Sequence, residues 1–303
     1  MDDLVPGPVT VSVPATSANL GPGFDTLGLA LTLRDEVTAQ VLDRPGLEIE
    51  VTGPGEGQVP LDERHLVHRA LVAGLGRVGV PVPPLRLTCR NGVPHSRGLG
   101  SSSAAIVAGV CLARALVHGG GQALPDDAAL ALAGELEGHP DNVAPALLGG
   151  LTVAWAEDGR FRAVTLPVDP RVETVVFLPP QGLSTEVARG LLPSTVPHVD
   201  AAANAGRAAL LTAALGGRLD LLLAATEDRL HQGYREDAMP ESLALLRSLR
   251  ADGVAATISG AGPSVLALVE ATGRASALER APEGWRALAL GVDRDGTRVL
   301  PTR

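Results

Sequence analysis

A loop rich in glycine and serine, residues 94–105, opens directly into an apolar helix predicted over Ser101–Leu116 of this 303-residue chain. Glycines let a backbone approach an anion closely, and the free N–H groups at a helix start carry partial positive charge. The hydroxyls of Ser101, Ser102 and Ser103 can also reach phosphate oxygens or a Mg²⁺ ion. An ordinary capped helix after a flexible turn would need only one serine and one glycine, so the segment predicts a phosphate-binding loop.

The basic residues narrow the chemistry that this loop can perform. All 25 of them are arginine, so the chain has no Walker A lysine, no Schiff-base lysine and no protein-kinase strand lysine. No G-x-G-x-x-G motif precedes the helix, which argues against a dinucleotide-binding unit. Any phosphate must therefore be held by arginine, backbone N–H groups or a metal ion.

Charge and composition exclude several broad classes of protein. A formal net charge of −9 opposes binding to nucleic acid or to an anionic membrane. The first residues are acidic where a signal peptide is basic, and no run of about 18 apolar residues occurs, so we expect a cytoplasmic protein without a membrane span. Cys89 and Cys111 lie in apolar stretches without metal-ligand spacing, and we interpret them as core residues.

Hydrophobic periodicity predicts an α+β fold. In the first half, alternation predicts a strand that ends at Pro14 before a loop over 15–28, followed by a strand meander. The further elements expected there are strands over 37–41, 47–51, 85–89 and 151–155 and helices over 66–78, 101–116 and 126–137. The second half predicts strands over 172–178, 255–259 and 265–269 and helices over 199–215, 219–230 and 241–251, the helices covering one face of an antiparallel sheet. A turn at 157–160 suggests two domains, 1–158 and 159–303.

Three blocks resemble the motifs of the GHMP kinases. Residues 94–105 match the family pattern P-x-x-x-G-L-G-S-S-A-A with one additional serine, Pro14–Asp25 resembles the N-terminal substrate motif, and Thr257–Ser264 resembles the third, glycine-rich motif. The resemblance implies an N-terminal unit like ribosomal protein S5 domain 2, a ferredoxin-like C-terminal α/β sandwich, and the use of ATP with Mg²⁺. The ATP-binding residues that it implies are Pro94, His95, Ser96, Arg97, Gly98, Leu99, Gly100, Ser101, Ser102, Ser103, Ala104, Gly260 and Gly262.

A fourth block, Glu137–Pro145, resembles those family members that phosphorylate L-homoserine. It places two carboxylates, an imidazole and an amide within six residues, which suits an amino-acid substrate and a metal ion. Taken without the other motifs, the block favours an ordinary solvated helix end at Glu137 and an Asx turn at Asp141-Asn142. The resemblance implies that Ser102 and Glu137 bind Mg²⁺, that Asn142 lies near the acceptor hydroxyl, and that the amino-acid pocket is lined by Asn19, Asp25, His139 and Asp141.

Two further segments resemble contributors to a carboxylate clamp. Their positions imply that Thr185, Arg189 and Arg235 bind the substrate carboxylate, for which the planar fork of arginine is suited. The chain departs from the family at His65-Leu66, where Asn-Leu is frequent near the adenine pocket, and at Gly233, where proline usually precedes the Tyr-Arg pair.

The reaction implied is transfer of the γ-phosphoryl group of ATP to the hydroxyl of L-homoserine by a homodimer. Asp141 is the one nearby carboxylate for a general base, and its role, base or substrate ligand, stays open. One alternative is another GHMP kinase that acts on mevalonate, a diphosphocytidyl polyol or a sugar. The other is a non-catalytic nucleotide-binding regulator that keeps the fold.

Overall fold

The computed structural model describes residues 3–301, which form eleven strands and ten α-helices. The strands are β1 (Val9–Ala18), β2 (Leu27–Val41), β3 (Leu47–Thr52), β4 (Leu85–Arg90), β5 (Leu151–Glu157), β6 (Arg160–Leu166), β7 (Val172–Leu178), β8 (Ala255–Ile258), β9 (Val265–Glu270), β10 (Arg286–Leu290) and β11 (Arg298–Leu300).

The helices differ widely in length. They are α1 (Leu66–Arg77), α2 (Ser101–Leu116), α3 (Gly120–Ala123), α4 (Asp126–Glu137), α5 (Val143–Leu148), α6 (Thr185–Gly190), α7 (His198–Leu215), α8 (Leu222–Ala225), α9 (Pro240–Ala251) and α10 (Arg274–Leu278). None of these helices has the length and apolarity needed to cross a bilayer.

The strands form two sheets, which confirms the predicted α+β class. The first sheet has the order β11-β1-β2-β4-β3, with β5 and then β6 added beside β2, and the second is antiparallel in the order β10-β7-β9-β8. The predicted meander is wrong, because β3 pairs in parallel with β4 rather than with β2. The pairing of β5 with β6 means that a division at 158/159 would separate two hydrogen-bonded strands.

Two local predictions are also wrong. β1 does not stop at Pro14 but runs to Ala18, because a bulge between Pro14 and Ala15 accommodates the missing N–H, so the loop covers only residues 19–26. The helix predicted over 219–230 ends at Ala225. Beyond it, the Asp228 carboxylate accepts the backbone N–H groups of Leu230 (2.9 Å), His231 (3.2 Å) and Gln232 (2.8 Å), which replaces helical bonding.

Small aliphatic side chains build the core in three clusters. One lies between the first sheet and helices α1, α2, α4 and α5, and another packs α9 and α10 on the second sheet. The third joins the two sheets, and residues of β9 alternate between it and the α9 cluster, so both faces of the second sheet are covered. Cys89 and Cys111 are buried free thiols, as predicted.

The chain crosses twice between the sheets. It leaves the first sheet after β6 and returns to it through residues 291–297, so that β11 pairs with β1. The two crossings lie side by side, since the Arg294 guanidinium donates to the Val168 carbonyl at 3.0 Å. The cleft described next lies where loops of both sheets meet.

Candidate active site

The glycine-rich loop presents an uncapped helix start. Gly98 (φ +69°) and Gly100 (φ +68°) adopt the left-handed conformation, and a Cβ on Gly100 would stand 2.0 Å from Thr16 Oγ1. The N–H groups in the first turn of α2, Ser101 to Ser103, have no intrahelical acceptor, as at any helix start. No side chain caps the helix, so these N–H groups have no capping acceptor either. These donors and the positive end of the α2 dipole can bind an anion.

Oxygen ligands gather beside this helix start. Ser102 Oγ (2.5 Å) and Ser103 Oγ (2.7 Å) both donate to Glu137 Oε1, at the end of α4. Mg²⁺ prefers one or two carboxylates together with hydroxyl and phosphate oxygens. The donor set therefore fits the metal ion that the sequence predicts, although only one of its protein ligands carries charge.

An ion pair stands at the other end of the cleft. Arg189, on α6, donates to both carboxylate oxygens of Asp25, at 2.6 and 3.0 Å. The guanidinium carbons of Arg189 and Arg235 lie 5.5 and 5.7 Å from the centre of the Phe24 ring, within the range of cation–π attraction. Phe24 thus lies close to both guanidinium cations of the cleft.

Arg235 is the deepest cation of the site and is 1% exposed. Its Nε donates to the Ala188 carbonyl at 3.1 Å, and one terminal nitrogen contacts His231 Nδ1 at 3.0 Å. His231 Nε2 must donate to the Gly21 carbonyl (2.7 Å), so its Nδ1 is the acceptor and the ring is neutral. Burial, followed by the charge of Arg189, lowers the pKa of Arg235 to about 10, so it stays cationic at neutral pH.

No carboxylate within residues 3–301 forms an ion pair with Arg235. Its hydrogen-bond partners are carbonyl oxygens and a neutral imidazole, and the carboxylates of Asp228, Asp25 and Asp141 favour its charge only from beyond ion-pair distance. A buried cation without a counterion in direct contact is costly, and it favours an anionic ligand in the cleft that it lines.

The block after α4 contributes two oriented polar groups. His139 Nδ1 contacts Asp141 Oδ1 at 2.7 Å, and Asp141 is 2% exposed. Burial lowers the pKa of His139, but the hydrogen bond and charge of Asp141 and the charge of Glu137 outweigh it, so the pKa is raised. Thr16 donates to Asn142 Oδ1 at 2.7 Å, which leaves the Asn142 amide N–H₂ as a donor toward the cleft.

The loop between β1 and β2 is held in a strained shape. Asn19, Leu20 and Asp25 all have positive φ, between 50° and 67°. Asn19 bridges the two halves of the chain, because its amide donates to the Gly260 carbonyl (2.9 Å) while its Oδ1 accepts the Asp25 N–H (2.9 Å). These bonds position the carboxylate of Asp25.

Most of the site residues predicted from sequence line one cleft of about 130 Å³. They are Asn19, Ser96, Gly98, Leu99, Gly100, Ser101, Ser102, Glu137, His139, Asp141, Asn142, Thr185, Arg189, Arg235 and Gly260. Asp25 reaches this cleft through Arg189, while His95 and Ala104 line a neighbouring cavity. Pro94, Ser103 and Gly262 line neither, and the Arg97 guanidinium donates to the Pro179 and Pro180 carbonyls.

Thr16, Phe24 and His231 orient the predicted site residues, but their own roles were not predicted from sequence. Thr16 and Phe24 lie inside the N-terminal motif, and Phe24 is one of only three phenylalanines in the chain. The rarity of aromatic residues was the available signal for Phe24. His231 had none, because its role depends on contacts with Gly21 and Arg235.

Comparison with known proteins places the chain among nucleotide-dependent phosphotransferases. The family described as GHMP kinases N terminal domain matches residues 65–150, and the one described as GHMP kinases C terminal matches residues 203–287. The chain belongs to the GHMP kinase family, whose members use ATP.

Relatives that align with nearly the whole chain are named homoserine kinase. Homoserine kinase of Streptomyces avermitilis is 56% identical over 293 residues, covering 97% of this chain and 96% of that protein. Homoserine kinase of Leifsonia xyli is 50% identical, covering 98% and 93%. The crystal structure of homoserine kinase from Cytophaga hutchinsonii superimposes with a TM-score of 0.84 at 27% identity, covering 97% of each chain.

Proposed function

We propose that this chain transfers the γ-phosphoryl group of ATP to the hydroxyl of L-homoserine, forming O-phospho-L-homoserine and ADP, a step of threonine synthesis. The proposal is supported by the names of relatives that align with nearly the whole chain. It is also supported by the cleft, which has N–H groups that can bind an anion at one end and the Asp25–Arg189 ion pair at the other.

The observation that carries the acceptor assignment is the unpaired, buried Arg235 beside the Asp25–Arg189 ion pair. An amino acid brings both an ammonium and a carboxylate. When an amino acid enters the cleft, its ammonium can pair with the carboxylate of Asp25 or Asp141, and its carboxylate can pair with the guanidinium groups of Arg189 and Arg235. Every charge of the site then has an opposite charge beside it. Mevalonate and sugars have no ammonium and would leave the acidic side without a partner.

At the opposite end, the first turn of α2 would bind the phosphates of ATP through its N–H groups. Ser102 and Glu137 are proposed to hold Mg²⁺, which would neutralise charge on the phosphate oxygens when bound. The transition state of phosphoryl transfer is loose, so positioning and electrostatic stabilisation supply most of the rate. The amide of Asn142, held by the hydrogen bond from Thr16, is proposed to orient the acceptor hydroxyl.

Asp141 is proposed as a substrate ligand that can also take the hydroxyl proton. Its carboxylate already contacts His139, which would stabilise a negative charge there. The variant Asp141→Asn separates the two roles. A collapse of kcat at unchanged KM for homoserine supports proton transfer, whereas a raised KM alone supports binding.

The first experiment is a coupled assay of ADP release with Mg²⁺-ATP and a panel of acceptors. L-Homoserine is compared with L-serine, L-threonine, mevalonate and galactose, and ³¹P NMR identifies the phosphorylated product. Turnover confined to L-homoserine is expected. Turnover with mevalonate or galactose instead would refute the acceptor assignment, and ATP binding without any turnover would favour a regulatory protein.

We further infer that the protein is a cytoplasmic homodimer, as its resemblance to the family implies. Sedimentation equilibrium at several concentrations tests the assembly, and a monomeric mass throughout would contradict it. Cell fractionation tests the location.

A further inference from the structure

The segment that follows β7, residues 179–183, packs against the glycine-rich loop and leads directly into α6. The backbone N–H of Leu183 donates to the Ser96 carbonyl at 3.1 Å. α6 then begins after its cap, Ser184, and carries Arg189. The loop proposed to bind phosphates and the helix proposed to bind the amino acid are therefore joined by one short connection.

Arg97 makes most of this connection. Its Nε donates to the Pro179 carbonyl at 3.1 Å, and its Nη2 donates to the Pro180 carbonyl at 2.6 Å. Its Nη1 turns back to the carbonyls of His95 (3.3 Å) and Ser96 (3.4 Å) in its own loop. Because proline has no N–H, the carbonyls are the only backbone groups through which this part of the segment can be held. Arg97 therefore links the two segments.

Ser96 has a backbone conformation that depends on this link. Its φ of +53° lies in the left-handed region, which is costly for a residue with a Cβ. The Leu183 N–H and Arg97 Nη1 both donate to its carbonyl while the segment is docked. When the segment leaves, the Leu183 contact is lost and Ser96 can relax to an ordinary conformation. Docking of the segment and the shape of the phosphate loop therefore change together.

α6 is short enough to move as one body. Its six residues span about 9 Å. Near its end the Ala188 carbonyl accepts from Arg235 Nε at 3.1 Å, and Arg189 donates to the Asp25 carboxylate at 2.6 and 3.0 Å. A shift at the start of α6 therefore displaces the contacts of both arginines that are proposed to bind the substrate carboxylate.

We propose that Arg97 is a positioning residue for both substrates, because it keeps the start of α6 docked on the loop that precedes α2. In the docked state Ser96 has the shape of the phosphate loop and Arg189 reaches the cleft. In the undocked state neither site is formed, so each ligand binds only the docked protein. The inference rests on the proposed function, which assigns ATP to one site and an amino acid to the other.

The substitution Arg97→Met removes the donors to Pro179 and Pro180 and keeps an unbranched apolar stem. The undocked state then becomes populated, and the affinity for each ligand falls with the docked fraction. Calorimetry with Mg²⁺-ADP alone and with L-homoserine alone is expected to show both affinities falling by the same factor, about 10-fold. With either ligand at saturation, the affinity for the other is expected to return to within about twofold of the wild-type value, because the first ligand has restored docking.

Other results with Arg97→Met would overturn the inference. Weaker binding of ADP with unchanged binding of L-homoserine would mean that Arg97 contacts phosphate directly. Weaker binding of both ligands without recovery at saturation would also contradict a shared docked state. Arg97→Lys keeps a cation with three donors and is expected to weaken both ligands equally but less than Arg97→Met does.

Gly182 offers a test that leaves Arg97 in place. A Cβ at Gly182 would touch Arg97 Nη1 and lie 2.9 Å from the Ser96 carbonyl oxygen, so Gly182→Ala pushes the segment off the loop. Gly206→Ala in α7 is the control, because a Cβ there meets nothing within 4 Å and neither glycine has a positive φ. Equal weakening of both ligands, with recovery, is expected for Gly182→Ala only. If both variants bind the ligands as wild type does, the link does not control docking.

Failure of this inference can be distinguished from failure of the proposed function. Wild-type protein that phosphorylates L-homoserine, while Arg97→Met binds the two ligands independently, would overturn the link and leave the function standing. Wild-type protein that releases no ADP from ATP with L-homoserine, while Arg97→Met shows equal weakening and recovery, would do the reverse.

Discussion

Gly100 offers a sharp test of the phosphate-loop geometry, because Gly79 provides a matched control. Both residues are left-handed, at φ +68° and +74°, so alanine costs about 1–2 kcal/mol at either position. A Cβ at Gly79 meets nothing within 4 Å, whereas a Cβ at Gly100 would stand 2.0 Å from Thr16 Oγ1 and 3.0 Å from Asn142 Oδ1. Gly100→Ala must therefore also break the bond between Thr16 and Asn142, worth about 0.5–1.5 kcal/mol.

The expected total for Gly100→Ala is about 1.5–3.5 kcal/mol of unfolding free energy, against about 1–2 for Gly79→Ala. Activity should separate the variants more strongly, because a shift of about 1 Å in a positioning group costs on the order of 100-fold in rate. The coupled ADP-release assay with L-homoserine measures this, and urea denaturation measures stability. If Gly100→Ala keeps activity within about threefold of Gly79→Ala, the loop does not position the phosphates as argued.

Three further outcomes are expected. Glu137→Gln should lower kcat/KM on the order of 100-fold and raise the Mg²⁺ requirement, and an unchanged Mg²⁺ titration would contradict its role. Because the pKa of His139 is raised in the folded state, its pairing with Asp141 stabilises the protein below the unfolded pKa of about 6.5 and is lost as pH rises through the folded value. His139→Asn should therefore cost more unfolding free energy in urea at about pH 6 than at about pH 9, and equal costs would refute this. Burial raises the pKa of Cys89 and Cys111 to about 12, so Ellman's reagent should label them only after denaturation, and rapid labelling of native protein would show otherwise.

Elements defined by local signals could be predicted closely from sequence. α2 begins and ends at the predicted residues, Ser101 and Leu116, and α4 spans Asp126 to Glu137 with a left-handed Gly138 after it, as predicted. These boundaries depend on neighbouring residues, such as the glycines before α2 and the acidic first turn of α4. The three glycine-containing motifs were recognisable for the same reason.

Features that depend on distant partners could not be predicted. The bulge that carries β1 past Pro14 is set by pairing with β2, where Pro14 opposes Arg34. An isolated arginine on a short helical segment is ordinarily solvated, and Arg235 is buried only because His231, Ala188 and Gly260 surround it. Phe24 likewise meets guanidinium groups from positions 189 and 235, which no local pattern relates to it.

The double crossing of the chain bears on how ligands enter. The sheets are tied covalently at two adjacent crossings, and at the cleft they are tied by Ser259, whose hydroxyl contacts Ser17 Oγ (2.8 Å) and the Gly98 carbonyl (2.6 Å). A hinge that swings one half of the molecule away from the other would have to break these contacts. We therefore expect access to be gated on the scale of one short helix, α6, whose departure frees Arg189 while both sheets stay in register.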